Sequence, residues 1–172
     1  MKRNINIFLV SLLIAFASCS FTSKSFDDDP DKDKLLMQLI TYLLEQGHFE
    51  PKDINDELSM GVYTSFLDQI DPFKNYFIQS DINEFEQFKT ELDDQILAHD
   101  VSFFNLVYDR FLVRFEDSKN RYSKVLELPF DFNLDEEYST DYENSPYVKT
   151  KSQMFNRWRK QLKFYTISNY HD

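Results

Sequence analysis

Apolar residues recur at three- and four-residue steps through most of the chain, and this spacing places side chains on one face of a helix. The first such run contains Leu35, Leu36, Leu39, Ile40, Leu43 and Leu44. Gly47 follows it, and glycine is common just past a helix C-terminus. The pattern predicts a first helix from about Asp31 to Gln46.

The second helical stripe consists of Leu58, Val62, Phe66 and Ile70. Asn55 and Asp56 precede it, and both residue types are preferred at helix N-caps. Pro72 blocks continuation because proline lacks an amide hydrogen and its ring clashes with the preceding turn. We therefore predict a second helix from Asn55-Asp56 to Asp71.

A third helix is predicted from Ser80-Asp81 to His99-Asp100, since Asp81 followed by Glu84 fits a capping box. Its apolar stripe is Ile82, Phe85, Phe88, Leu92 and Ile96.

The longest periodic run extends from Val101 to Glu127 and predicts a single helix about 40 Å long. Its stripe is Phe104, Val107, Phe111, Phe115, Tyr122 and Val125.

Residues 130–150 are acidic and rich in tyrosine, and they predict an irregular loop. A last helix is predicted for Lys151–Ser168, with one apolar side formed by Met154, Phe155, Trp158, Leu162 and Tyr165. The fold class is therefore all-α, an irregular bundle of about five helices.

Composition narrows the possible functions. The 172 residues are 42% hydrophobic and 17% aromatic, which is enough for one domain with a real core. Gly47 and Gly61 are the only glycines, which excludes glycine-rich phosphate loops and dinucleotide fingerprints. The net charge of −11 argues against nucleic-acid binding, which requires a basic face.

The first eighteen residues have the pattern of a signal peptide. Lys2 and Arg3 precede an apolar run from Ile5 to Ala17. The run is shorter than the 20 or so residues that a membrane-spanning helix needs. We expect the protein to be exported, either to the periplasm or to a lipid anchor at the cell envelope.

Two cleavage sites are compatible with this segment. Ala15-Phe16-Ala17 fits a small-x-small site for ordinary signal peptidase, whereas Phe16-Ala17-Ser18-Cys19 resembles the lipobox of bacterial lipoproteins. In the second case Cys19 would carry the lipid and bind the membrane. Residues 19–33 are then a flexible polar leader, and the helical domain comprises residues 34–172.

The sequence shows no arrangement typical of an active site. His99-Asp100 and His171-Asp172 could be imagined in a metal-dependent hydrolase, but only His48 remains as a further histidine, without a partner at ligand spacing. No GxSxG elbow occurs. We therefore predict no catalytic, cofactor-binding or metal-binding residue in this chain.

One basic cluster stands out in an acidic chain: Arg157, Arg159, Lys160 and Lys163, with Trp158 between them. We favour the interpretation that these residues form the polar face of an amphipathic helix whose tryptophan lies in the core. The cluster could instead bind an acidic segment, either of a partner or of the loop at residues 130–150.

Three segments occur in a distinctive order. In the first segment a helix ends at a Leu-Asp pair, and Ser-Asp, Phe and Lys-Thr-Glu-Leu follow in that order. The pair is Leu67 with Asp68 or Asp71, and the residues that follow are Ser80-Asp81, Phe85 and Lys89–Leu92. The second is Val125-Leu126-Glu127 with Pro129 and Asp131-Phe132, and the third contains Trp158, Lys163 and Phe164.

These segments resemble the N-terminal helical domain of the tail-specific proteases, the Prc-type carboxy-terminal processing proteases of peptidase family S41, over about Lys34 to Phe164. The resemblance implies a non-catalytic domain that frames the substrate-handling cavity of a serine endopeptidase. Its partners would be the PDZ and Ser/Lys protease domains of the same full-length protein, protein substrates with unstructured C-termini, and an adaptor lipoprotein. No catalytic residue carries over, so the chain is interpreted as a truncated product or a fragment.

The alternative is a free-standing exported helical binding protein or lipoprotein adaptor. Exposed apolar side chains on the last helix, such as Phe164 or Ile167, would favour a domain that packs on others.

Overall fold

The structure is a computed structural model that describes residues 30–47 and 53–171. Within these ranges it contains six α-helices and no β-strand, which confirms the all-α prediction. The helices are α1 (Pro30–Tyr42), α2 (Asp56–Ile70), α3 (Gln79–Phe85), α4 (Leu92–Ala98), α5 (Ser102–Leu126) and α6 (Lys151–His171). The predicted signal peptide, Cys19, His48 and most of the leader lie outside the described residues.

Most predicted helix ends agree with the structure. The side chain of Asn55 caps α2 by accepting hydrogen bonds from the amides of Glu57 and Leu58, both at 3.1 Å. At the other end the amide of Asp71 donates to the carbonyl of Leu67 at 3.0 Å, one residue before Pro72. The α5 helix matches its prediction to within one residue at each end, and α6 extends three residues further than predicted.

The prediction of one continuous third helix was wrong. The chain forms α3, a 3₁₀ turn at Glu86–Phe88, and then α4, so the described residues contain six α-helices rather than about five. A buried serine of α2 explains the break: the Ser59 hydroxyl accepts a hydrogen bond from the amide of Asp93 and donates to its carboxylate, both at 2.7 Å. A continuous helix would need that amide for the carbonyl of Lys89.

The core lies where α2, α3, α4 and α5 meet the segment between α2 and α3. Its buried members are Tyr63, Leu67, Phe77, Phe85, Leu92, Phe103 and Val107. Aromatic rings dominate it, with centroids 5.4 Å apart for Phe77 and Phe85. The buried face of α2 is displaced by one residue from the predicted stripe, which is half-buried at the edge of the core.

The predicted leucine stripe of α1 is largely at the surface. Leu35 is 65% exposed, whereas Met37 is the buried residue of this helix. After Tyr42 the chain continues in a π-helical turn, Leu43–Gly47, which ends at the glycine that was predicted to close the helix. None of the helices within the described ranges combines the length and hydropathy needed to cross a bilayer.

The segment predicted as an irregular loop, residues 130–150, contains neither helix nor strand. Its position is fixed by side chains of α6, which are described below.

Candidate functional site

The corner between α2 and α3 is organised by a buried carboxylate. Asp71, 1% exposed, accepts hydrogen bonds from the backbone amides of Asn75 at 2.7 Å, Tyr76 at 3.1 Å and Phe77 at 2.9 Å. Burial raises the pKa of Asp71, and the three amide donors act in the opposite direction. A side chain that satisfies three backbone donors fixes the path of the chain after Pro72.

The α6 helix binds to this corner through polar side chains. The indole Nε1 of Trp158 donates to the carbonyl of Asn75 at 2.9 Å, and Arg157 donates to the carbonyl of Lys74 at 2.7 Å. The side-chain amide nitrogen of Asn75 also donates to the side-chain oxygen of the buried Gln161 at 2.8 Å. These hydrogen bonds join residues of the corner and of α6 that lie 83 or 86 positions apart in the sequence.

A second buried carboxylate joins α3 to α5. Asp81 is fully buried, and it accepts one hydrogen bond from Arg110 at 2.7 Å and two from Arg114, both at 2.8 Å. It also accepts from the amide of Ile78 at 3.0 Å, which closes the N-terminus of α3. Burial by itself raises the pKa of Asp81, but the hydrogen bonds from Arg114, Ile78 and Arg110 outweigh burial and lower it.

The acidic loop is held against α6 by Glu136. Its carboxylate pairs with both terminal nitrogens of Arg159 and with Lys163 Nζ at 3.0 Å. Lys163 also donates to the carbonyl of Leu134 at 2.9 Å, and Lys160 donates to that of Glu137 at 3.1 Å. Hydrogen bonds from Arg159 and then Lys163 lower the pKa of Glu136 to about 2.

The basic cluster of α6 therefore has an internal partner, as the second interpretation of the sequence proposed. The favoured interpretation, a polar face around a core tryptophan, was wrong in two respects. Trp158 is half-buried and hydrogen-bonded rather than in the core, and Arg159 and Lys163 bind the loop at residues 130–150 instead of facing solvent.

Beyond this polar contact, the last turns of α6 present an apolar surface. We call it the α6 patch; its members are Phe164 (37% exposed), Tyr165 (40%), Ile167 (40%) and Tyr170 (87%). Tyr138 of the loop packs on Phe164 with ring centroids 5.4 Å apart. A surface pocket of about 230 Å³ between loop and helix includes Phe164 and Ile167 in its walls. The exposure expected for a domain that packs on others is confirmed at both residues.

A larger open groove, about 680 Å³, runs along α2. Leu58, Val62 and Phe66 give it an apolar wall, and Glu57 lies among its polar residues. Gly61 also lines the groove, and a Cβ atom placed there would meet no atom within 4 Å. The groove is thus open to solvent at Gly61.

The histidines do not form a metal site in the described part of the chain. His99 ends α4 in the left-handed conformation, with φ of 55°. In residues 30–47 and 53–171 no three His, Cys, Asp or Glu side chains converge as metal ligands. Sequence analysis overlooked Asp71 and Asp81 as organising groups. It placed Asp81 at a helix N-terminus as the cap paired with Glu84, whereas Asp81 is the third residue of α3 and accepts from the amide of Ile78.

Comparison with known proteins identifies the class of this helical domain. Residues 40–172 match the family described as "Tail specific protease N-terminal domain", and the chain belongs to that family. It is also similar to the tail-specific protease of Haemophilus influenzae (strain ATCC 51907 / DSM 11121 / KW20 / Rd), with 25% identity over 134 residues. The alignment covers 77% of this chain and 19% of that protein, so the chain spans about a fifth of its relative's length.

Proposed function

We propose that this chain is the non-catalytic N-terminal domain of an exported, periplasmic tail-specific serine endopeptidase. In this role it frames the cavity in which a substrate protein is handled from its C-terminus. The α6 patch carries the proposal, because a rigid helix with Phe164 and Ile167 exposed is suited to pack against a further domain. Family membership and the 19% coverage of the relative support it.

The internal polar contacts give α6 the rigidity that such packing requires. Trp158 and Arg157 fasten its middle to the corner after Pro72, and Arg159 and Lys163 fasten it to the loop. Binding to a rigid surface avoids the entropic cost of ordering it. The groove along α2 offers a second surface that an extended substrate segment could follow.

The first test is genetic. The DNA for about a kilobase downstream of the codon for Asp172 should encode PDZ-like and Ser/Lys protease segments, in phase or one frameshift away. Unrelated sequence after a clean stop would contradict the proposal and favour a free-standing binding protein.

The second test is biochemical and uses the protein with those segments restored. Phe164→Glu and Ile167→Glu should reduce cleavage of a protein with an unstructured, apolar C-terminal tail, because each places a charge where the domains meet. Ser168→Glu is the matched control, since it adds the same charge to an exposed position one residue away. Equal activity in all three variants would contradict the role of the α6 patch.

Export and lipidation require a separate experiment. Metabolic labelling with a palmitate analogue should label the wild-type protein and not Cys19→Ser, if the lipobox is used. Absence of label together with cleavage after Ala17 would identify the ordinary signal peptidase site. Retention of the uncleaved chain in the cytoplasm would contradict export.

A further inference from the structure

A half-exposed apolar row runs along α5 outside the core. Its members, which we call the α5 row, are Tyr108, Leu112, Phe115, Lys119, Tyr122 and Leu126. Each of the five apolar members is between 41% and 54% exposed. Successive members are four, three, four, three and four residues apart, which is the spacing of a seam between two packed helices.

The row is centred away from the face that α5 buries in its own domain, and among the described residues of the row only Phe115 at its edge contacts rings of that domain, with centroids 6.1 Å from those of Tyr76 and Phe111. The residues buried there are Phe103, Val107, Ser118, Arg121 and Val125. At 3.6 residues per turn the centres of the two faces are about 110° apart. Folding of the domain leaves the row at the surface, where a helix normally carries polar residues.

We propose that a second copy of this chain covers the α5 row, with the two α5 helices antiparallel about a two-fold axis at the level of Asp117. The row has the same spacing in both directions from this point. Tyr108 of one copy then faces Leu126 of the other, and Leu112 faces Tyr122. A self-complementary surface of this kind is what a two-fold interface requires.

Charges at the centre of the row also complement one another. Within one chain Lys119 Nζ lies 2.6 Å from the carboxylate of Glu116 and 5.5 Å from the ring centroid of Phe115. The two-fold axis brings Lys119 of each copy opposite Phe115 of the other and beside its Glu116. A cation facing an aromatic ring and a carboxylate is favourable, which offsets part of the repulsion between two chains of net charge −11.

The available area fits a weak, reversible dimer. The three aromatic members offer about 150–250 Å² each when fully buried, so the half-exposed row as a whole supplies at most about 500 Å² per copy. The total of about 1,000 Å² is at the lower limit for a specific interface. The inference is independent of the proposed protease role, because it concerns the chain's own surface.

Sedimentation velocity of the Cys19→Ser protein, purified after export, tests the proposal over roughly 1 to 100 µM. We expect a shift from monomer to dimer as concentration rises. Leu112→Glu should weaken self-association by about 100-fold, because the change occurs twice in each dimer. Val113→Glu is the control: Val113 is 58% exposed but lies outside the row, so the dimer should persist. Circular dichroism checks that both variants are folded.

Disulfide cross-linking tests the antiparallel register. The double variant Leu112→Cys/Tyr122→Cys, in the Cys19→Ser background, should form a covalent dimer on mild oxidation. Leu112→Cys alone should not, because the two copies of position 112 would be about 15 Å apart along the axis. A protein that stays monomeric at all concentrations, a dimer insensitive to Leu112→Glu, or equal cross-linking of single and double variants would overturn the proposal.

Discussion

Asp81 and Glu136 use the same chemistry in two very different parts of the molecule. Each carboxylate is held by two cationic side chains: Arg110 and Arg114 around Asp81, and Arg159 and Lys163 around Glu136. The side chain of Asp81 is fully buried, whereas that of Glu136 is 12% exposed at the surface of α6.

The comparison shows that the consequence of an ion pair depends on what it joins. Asp81 lies in the first turn of α3 and fixes this helix to the middle of α5, so the arrangement of core helices depends on it. Glu136 joins an irregular loop to the outer face of α6. Loss of the first should lower the stability of the whole domain, and loss of the second should open only the loop.

The largest effect is expected for Asp81→Asn. Removing the negative charge takes away the buried carboxylate that Arg110 and Arg114 share, and leaves them only the more exposed Glu84 and Asp117 as ionic partners. Breaking a buried pair in this way costs about 3 kcal/mol. The free energy of unfolding, measured by urea denaturation, should fall by that amount. Asp109→Asn is the control, at an exposed position of α5, the helix that carries both arginines. It should change the free energy of unfolding by no more than about 0.5 kcal/mol. Similar losses in both variants would contradict the special role of Asp81.

A somewhat smaller net effect is expected for Asp71→Ala, because removing the buried carboxyl group also removes the cost of burying it. Three backbone amides lose their acceptor, and one unsatisfied buried donor alone costs about 1–3 kcal/mol. Because Trp158 donates to the carbonyl of Asn75 in this corner, its fluorescence should shift towards that of exposed tryptophan. Asp68→Ala, at an exposed position of α2, should leave both stability and emission unchanged. An unchanged spectrum in Asp71→Ala would show that the corner does not depend on this carboxylate.

Local signals in the sequence predicted most helix ends. The structural features that these signals did not predict depend on residues that are distant in the sequence. Asn55, Pro72 and Gly47 act within one helical turn, so their effects could be predicted. The break before α4 depends on Ser59, which lies 34 residues from Asp93, and no local pattern indicates such a pairing. Local signals also placed Asp81 at a helix N-terminus, but as the cap paired with Glu84, whereas it is the third residue of α3 and accepts from the amide of Ile78. Its arginines, 29 and 33 residues away, could not be predicted locally.

The same reasoning explains the basic cluster of α6. Its charges were visible in the sequence, and the loop at residues 130–150 was recognised as a possible partner. The carboxylate that the basic cluster binds could not be predicted from composition, since Glu136 and Glu137 are adjacent residues of the same type. The structure assigns the side chain of Glu136 to Arg159 and Lys163, while Glu137 contributes only its carbonyl, to Lys160.

The difference between the side chains of Glu136 and Glu137 supplies the third test. We expect a substitution of Glu136 to loosen the loop without lowering the stability of the whole domain. Glu136→Gln at pH 7 should increase hydrogen exchange of the loop amides several-fold, with almost no change in the urea midpoint. Glu137→Gln is the matched control because its side chain is exposed and the carbonyl that Lys160 uses is retained. A fall in the midpoint as large as that of Asp81→Asn would show that the two carboxylates are equivalent after all.

The smallest effect is a pH dependence confined to the loop. The pKa of Glu136 is about 2 in the folded protein and 4.5 as an ordinary glutamate. A carboxyl group whose pKa is lowered by folding stabilises the contact fully above the ordinary value, and this stabilisation is lost as pH falls through the folded value. The protection factors of the loop amides, which correct for the pH dependence of intrinsic exchange, should therefore fall relative to those of the α5 core amides as pH falls from about 4.5 to 2. Glu136→Gln should reduce this dependence, leaving the part that Asp141 of the same loop contributes, because hydrogen bonds from Asn144 lower the pKa of Asp141 too. Core amides that lose protection together with the loop would mean that acid unfolds the domain as one unit, so the proposed contrast between Asp81 and Glu136 would fail.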